Sequence, residues 1–274
     1  MNTKIGFIVN PIAGMGGRVG LKGTDGKALE AEKLGATPTA PTKAKDTIKE
    51  FIQKHQKKNN IKWFTCSDDM GENELKETGV KDYTIIYTPK NNVTTADDTK
   101  NACRELLKKN VDIIVFCGGD GTARDIIEVV DKKTPILGIP AGVKMHSGVF
   151  GVTPQATAKT LIDYLNNALT TGDVDILDLD EELYRQGEWR IRFYGNAKGI
   201  INTTYIQVGK ATFESVSEDH IKDELSEHIM EEMKRNPKTL FLLGPGSTIE
   251  YIANKMRLKK TLLGIDAIYN NKIV

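Results

Sequence analysis

The chain of 274 residues carries 38 basic and 37 acidic side chains, a formal net charge of +1, and 39% hydrophobic residues. Near-neutral charge without a long basic run excludes the electrostatic footprint of nucleic-acid or anionic-membrane binding, and no apolar run is long enough for a bilayer span or a secretory signal. Three cysteines, Cys66, Cys103 and Cys117, are odd in number and lack metal-ligand spacing, which points to a reduced, cytoplasmic setting and leaves small molecules as partners.

In chain order, short β-rich runs alternate with segments of helical period. KIGFIVN (4–10) reads as a strand, and a long glycine-, proline- and threonine-bearing stretch (20–43) leads to a helix at TIKEFIQKHQ (47–56). IKWFT (61–65) is the next strand, followed by a polar piece around ENELKE (72–77), the strand YTIIYTP (83–89) and the helix ADDTKNACRELLKK (96–109). VDIIVFC (111–117), ARDIIEVVD (123–131) and PILGIP (135–140) continue as strand, helix and strand. Near-continuous apolar strands alternating with helices predict an α/β fold in which residues 1–150 form a doubly wound, three-layer parallel sheet. Beyond a helix at TPQATAKTLIDYLNNAL (153–169), DVDILDLDEE (173–182) and EWRIRFYG (188–195) alternate like antiparallel strands, with NTTYIQV (202–208) as a third. SEDHIKDELSEHIMEEMKR (217–235) is a charged amphipathic helix, and TLFLLGPGSTIEYIANKM and TLLGIDAIYNNKIV return to strand and helix. Residues 151–274 are therefore expected to form a second, mixed α/β domain.

A doubly wound sheet binds its ligands beyond the carboxyl ends of its strands, and four such ends carry unusual turns: NPIAGMGG (10–17), TPKNNVTT (88–95), GGDGT (118–122) and PAGVKMHS (140–147). In GGDGT, Gly118, Gly119 and Gly121 let backbone amides approach a ligand without an intervening side chain. Thr122, with Asp125 three residues on, has capping-box spacing, and the helix start adds amides suited to phosphate oxygens. Asp120 would repel a phosphate unless it takes a proton from an attacking hydroxyl or holds a cation; the alternative is an ordinary turn in which Asp120 caps the helix.

NPIAGMGG fails the dinucleotide fingerprint, because Val19 stands at the third glycine position, and it lacks a Walker lysine. Asn10, Gly14, Gly16 and Gly17 remain as phosphate contacts or as a simple turn. Acceptor contacts are expected among Thr95, Asp98, Lys144, His146, Ser147, Gly246 and Ser247. Thr95 and Asp98 also have capping-box spacing, as do Thr94 with Asp97 and Ser247 with Glu250. The acids Asp175, Asp178, Asp180, Glu181 and Glu182 could hold magnesium or simply be solvated, so the metal ligands are left unassigned.

With GGDGTARD in place, the chain resembles the ATP-NAD kinase superfamily, whose glycine-glycine-aspartate-glycine motif is shared with diacylglycerol and sphingosine kinases and with phosphofructokinases. NPIAGMGG, GGDGTARD, GIPAGVKMHS, ILDLDEE and GPGST followed by TLLGIDAI look like the prokaryotic ATP-NAD/AcoX-type subgroup. The resemblance implies a cytoplasmic, homo-oligomeric kinase that phosphorylates NAD at the adenosine-ribose 2′-hydroxyl, using ATP or inorganic polyphosphate with Mg2+ or another divalent cation. Asp120 inherits catalysis, and Gly118, Gly119, Gly121 and Thr122 inherit nucleotide and phosphate contact. GIPAGVKMHS stands where a typical NAD kinase has an asparagine-glycine-leucine-glycine-type turn, which leaves the acceptor open. The resemblance also implies a further C-terminal portion beyond Val274. A lipid or small-metabolite kinase and a nucleotide-binding regulatory protein without turnover are the alternatives.

Overall fold

The computed structural model describes residues 3–15, 33, 35–55, 61–91, 93–142, 145–179, 190–202, 216–261, 264–270 and 272–274, with backbone only for 216–221 and 223–224. Five strands, β1 (Thr3–Val9), β2 (Ile61–Cys66), β3 (Tyr83–Tyr87), β4 (Ile113–Gly118) and β5 (Ile136–Pro140), form one sheet in the order β3-β2-β1-β4-β5. Every pairing in it is parallel. The crossovers are α1 (Ala40–Lys54), the short α2 (Glu72–Glu77), α3 (Ala96–Lys108) and α4 (Asp120–Ile127). The chain moves from β1 outward to β3, then returns to β4 on the other side of β1. The strand order thus reverses between β1 and β4, and a crevice opens beyond their carboxyl ends.

Alternation along the strands explains the layers. Ile5, Phe7 and Val9 of β1, with Ile113, Val115 and Cys117 of β4, share a core with Ala40, Ala44, Ile48 and Phe51 of α1 and with Ala158 and Leu161 of α5 (Pro154–Leu165). On the opposite face Ile8, Ile114 and Phe116 pack with Ala102, Cys103 and Leu106 of α3 and Ala123 and Ile126 of α4. The expected three layers are present. Helix α1 starts at Ala40, seven residues before the apolar period suggests, because Pro41 in its first turn is preset for a helix. All three cysteines are buried and free. Burial pushes their thiols well above the ordinary range, that of Cys103 to about 12, so they act as small apolar side chains.

Strands β6 (Thr170–Leu179) and β7 (Ile191–Ile201) form the expected antiparallel ribbon, with a register shift at Ile176/Leu177 where Gly195 takes φ +150°. Ile176 and Ala197 belong to the second core and Ile200 to the first. The division expected at residue 150 is therefore not a break in hydrophobic packing. The ribbon is also joined to the sheet by backbone: Gly138 of β5 donates to Val149 O (2.8 Å) and accepts from Gly151 N (3.0 Å), and Gly148 N donates to Asp175 O of β6 (2.9 Å). The expected strand at 202–208 lies almost entirely outside the described residues.

A Cβ on Gly138 would lie 2.4 Å from Cδ1 of Phe150, whose ring packs edge-on against Phe116. Gly138→Ala should therefore lower stability by about 1–3 kcal/mol through overpacking. Urea unfolding checks this, and an unchanged midpoint would mean that the two rings can move aside.

Toward the C-terminus, α6 (Val216–Arg235), β8 (Phe241–Leu243), α7 (Ser247–Lys255), β9 (Asp266–Tyr269) and β10 (Lys272–Ile273) form a unit with an antiparallel sheet ordered β10-β9-β8. Its buried core is Met233, Leu243, Ala253 and Ile268. Among the described residues no helix is long and apolar enough to cross a membrane.

Candidate active site

The turn from β4 to α4 lies at the reversal of strand order. The helix begins at Asp120 with Gly119 as its N-cap, so Thr122 does not cap it as its spacing with Asp125 suggests. The glycines let the chain enter the helix three residues earlier, and Thr122 instead sits buried in the first turn, accepting a hydrogen bond from Asn10 Nδ2 (3.0 Å). A Cβ on Gly118 would meet the Thr122 side chain at 2.5–2.7 Å, whereas one on Gly119 meets nothing within 4 Å. Gly118 is required by packing, and the space over Gly119 is open. Gly121 lies within the first turn of α4.

Asp120 is only 6% exposed. Its carboxylate does not cap its own helix. Oδ2 accepts the amide of His146 (2.8 Å) and Oδ1 that of Ser147 (2.9 Å), both from the segment after β5. The Ser147 hydroxyl is completely buried; it donates to Leu177 O (2.8 Å) and accepts from Leu177 N (3.1 Å). Arg124, one helical turn beyond Asp120, faces Asp178 of β6 at 3.4 Å and lies over the ring of Tyr194 at 5.3 Å, with Arg192 at 5.4 Å from the same ring. Asp178 is 7% exposed and also accepts from Leu179 N. Asp178 is legible in the sequence only as one of five acids that could hold magnesium, and Arg124 is not legible as a site residue, although the i, i+4 spacing of Asp120 and Arg124 places both on one face of a helix. The solvated reading of the acids fails for Asp178, because Arg124 arrives from another element; Asp175 accepts from Asn196 (2.8 Å), and Asp180, Glu181 and Glu182 lie outside the described residues.

The other candidates divide by location. Asn10 sits beside the β4–α4 turn, bracing Thr122 and accepting from Ile12 N. Gly14 has φ +84°, and a Cβ there would meet Thr39 Oγ1 and the carbonyl of Ala141, so this glycine joins the loop after β1 to the start of α1 and the end of β5. Gly16, Gly17 and Lys144 lie outside the described residues. Thr95 and Asp98 lie at the start of α3, where Thr95 is the N-cap. Asp98 accepts from the Thr95 amide (2.8 Å), the Thr95 hydroxyl (2.9 Å) and Tyr87 Oη (2.7 Å). Burial works against its charge, but these donors hold it below the ordinary aspartate range. The expected pairing of Thr94 with Asp97 gives way to this one, since the helix starts at Ala96. In GPGST, Gly246, at φ +124°, is the N-cap of α7, so Ser247 is the first helical residue rather than the cap. Hollows lined by Met233, Asn236 and Phe241, and by Leu107, Asp112 and Lys133, include no residue of the β4–α4 turn, and the second lies at the amino ends of β4 and β5.

The family model for the ATP-NAD kinase N-terminal domain matches residues 5–169, more than half of the chain. The chain belongs to the ATP-NAD kinase family. Comparison with curated proteins and with solved structures gives no match.

For an ATP-NAD kinase family member, Mg2+ is the implied metal. Among the described residues no three His, Cys, Asp or Glu side chains gather to hold an ion.

Burial, the largest influence, pushes the Asp120 carboxyl up to about 6, and Asp178 acts in the same direction, against the Ser147 hydroxyl and the Ser147 and His146 amides. An unfolded aspartate ionises near pH 3.9, so between about pH 4 and 6 the folded chain keeps a proton that the unfolded chain releases. The contribution of Asp120 to stability is thus fully present below about pH 4 and declines as pH rises to 6, by roughly 3 kcal/mol. Urea midpoints of wild type and Asp120→Asn from pH 4 to 7 test the sign: the wild type should fall relative to the variant. A constant gap would mean that Asp120 titrates as an ordinary carboxyl.

Proposed function

We propose that this chain phosphorylates the adenosine-ribose 2′-hydroxyl of NAD, taking the phosphoryl group from ATP or inorganic polyphosphate with Mg2+. The reading is carried by one observation: a buried carboxylate, held by two amides, sits beside an open glycine turn where the strand order reverses. Asp120 takes the proton of the acceptor hydroxyl. Its carboxyl, pushed up to about 6, lies nearer working pH than that of a solvated aspartate, which makes it a better matched base. The amides around Gly119 and Gly121 orient phosphate oxygens, and in-line transfer then depends mostly on placement and charge neutralisation. The metal, when bound, neutralises phosphate charge. The GPGST turn, with Gly246 and Ser247 at the start of α7, would meet the acceptor from the second unit.

The test is incubation with Mg2+ and each pair of donor (ATP or polyphosphate) and acceptor (NAD, NADH or diacylglycerol), followed by chromatography of the products. NADP formation supports the proposal. Phosphorylation of another acceptor without NADP overturns the substrate, and thermal stabilisation by NAD with no product from any pair overturns catalysis.

A further inference from the structure

Helix α4 carries Asp120 in its first turn and Arg124 one turn later, about 6 Å further along the axis. Both are tied to the same strand. Asp120 Oδ1 accepts the Ser147 amide (2.9 Å), and the completely buried Ser147 hydroxyl spans to Leu177 of β6, donating to its carbonyl (2.8 Å) and accepting from its amide (3.1 Å). That hydroxyl is a strut with no open face for a substrate, contrary to the acceptor contact that its position suggests. Arg124 Nη1 donates to Asp178 Oδ2 (3.4 Å), and Asp178 follows Leu177 directly in β6. The bonds close a ring that runs from α4 through the segment after β5 to two consecutive residues of β6 and back to α4.

The second link is braced by both strands of the ribbon. Asp178 stands opposite Arg192 of β7 in register, and its Oδ1 accepts the Leu179 amide (2.7 Å). The guanidinium of Arg124 lies over the ring of Tyr194 at 5.3 Å, and β7 comes close to the helix at Gly195 (φ +150°), where a Cβ would stand 3.2 Å from Cδ1 of Ile127. One tether leaves a helix able to swing about it. Two tethers on one face, a turn apart, fix its rotation as well.

We propose that Arg124 and Asp178 are positioning residues whose ion pair, together with the Ser147 strut, sets the orientation of α4 and so holds the Asp120 carboxylate where the acceptor hydroxyl must meet it. Apolar packing is not enough for this. Ala123 and Ile126 of α4 share a core with Ile176 and Ala197 of the ribbon, but apolar contact is non-directional and tolerates a small roll of the helix, whereas a shift of about 1 Å at a reacting group costs about 10²-fold in rate. An ordinary surface pair would instead contribute about 0–1 kcal/mol and leave turnover unchanged. The catalytic consequence rests on Asp120 being the base, but the ring belongs to the free protein, so one arm of the test uses no substrate.

Arg124→Gln, Asp178→Asn and the double variant are compared in the full chain after circular dichroism shows them folded. In the free protein, amide hydrogen exchange at His146 and Ser147, the two donors to Asp120, should run at least about tenfold faster in each variant, a loss of 1.4 kcal/mol. Exchange at Ser67, whose amide donates to Tyr87 O at the far edge of the sheet (2.9 Å), should keep its wild-type rate. With Mg2+, ATP and NAD, kcat should fall by about 10–100-fold while the affinities for both ligands stay within about threefold. The double variant should lose no more than the worse single one, because the two residues act through one bond.

Unchanged exchange at His146 and Ser147 overturns the proposal, and so does an equal rise at Ser67, which marks general destabilisation. A wild-type kcat in the folded variants overturns it too. Weakened ATP or NAD affinity in Arg124→Gln alone would make the guanidinium a ligand contact, and losses of kcat that multiply in the double variant would make the two residues independent; either result overturns the pairing. Should a single variant fail to fold through its unpaired charge, the double variant, which removes both charges, is read in its place. If exchange responds as expected but no donor and acceptor pair gives product even in the wild type, the proposed function fails while the ring and its hold on Asp120 stand.

Discussion

Replacing Asp120 by asparagine is expected to lower turnover by about two to four orders of magnitude, the span of a positioned general base. The structure adds a cost that the sequence does not suggest. The two carboxylate oxygens accept separate amides, from His146 and Ser147; an asparagine offers one oxygen and one NH2, so one buried amide would face a donor. That costs about 1–3 kcal/mol, partly offset near neutral pH because the variant has no buried carboxylate to ionise. The decisive comparison is kcat against NAD affinity in samples shown by circular dichroism to be folded. Loss of kcat with NAD binding kept within a few-fold identifies the base. A kcat within tenfold of wild type in a folded variant would reduce Asp120 to a brace between α4 and the segment after β5.

Gly119→Val should weaken nucleotide binding at least about tenfold, or 1.4 kcal/mol, with little effect on the fold. The backbone there is extended, φ −111° and ψ −173°, a conformation valine adopts readily, and its Cβ would meet nothing in the protein. The loss of glycine at an N-cap costs at most about 1 kcal/mol. What the side chain would occupy is the space through which phosphate must approach the amides. Gly118→Ala is the control: its Cβ would collide with Thr122, so it should destabilise by about 1–3 kcal/mol without selective loss of affinity. Calorimetric binding of ATP and NAD to both variants tests the contrast. Normal binding by Gly119→Val would remove phosphate from this turn.

The parallel sheet was readable because its strands are buried on both faces and therefore run as apolar blocks, and the glycine turns punctuate them at their carboxyl ends. The β6–β7 ribbon was readable from alternation. Local spacing misled at helix starts: Thr122 with Asp125 and Ser247 with Glu250 fit the capping pattern, yet Gly119 and Gly246 are the caps, because a glycine can turn directly from strand into helix. The partners of Asp120 were hidden for a different reason. His146 and Ser147 hold it through backbone amides, which any residue carries, and Arg124, the partner of Asp178, comes from another element. Such contacts follow from the path of the chain between β5 and β6, where Gly148 and Gly151 bond to neighbours that no periodicity announces.

Among the described residues, the buried core of the C-terminal unit draws on α6, β8, α7 and β9 and on no residue of the parallel sheet. The small oily centre of this unit and the larger packing on the two faces of the parallel sheet should lose their order at different temperatures, because cooperative melting spreads through shared packing. A ligand gripped only by the β4–α4 turn would raise the first transition in a heat-capacity scan by mass action and leave the second where it was. One held jointly with the GPGST turn would raise both, so the number of peaks that move on adding NAD counts the walls of the binding site.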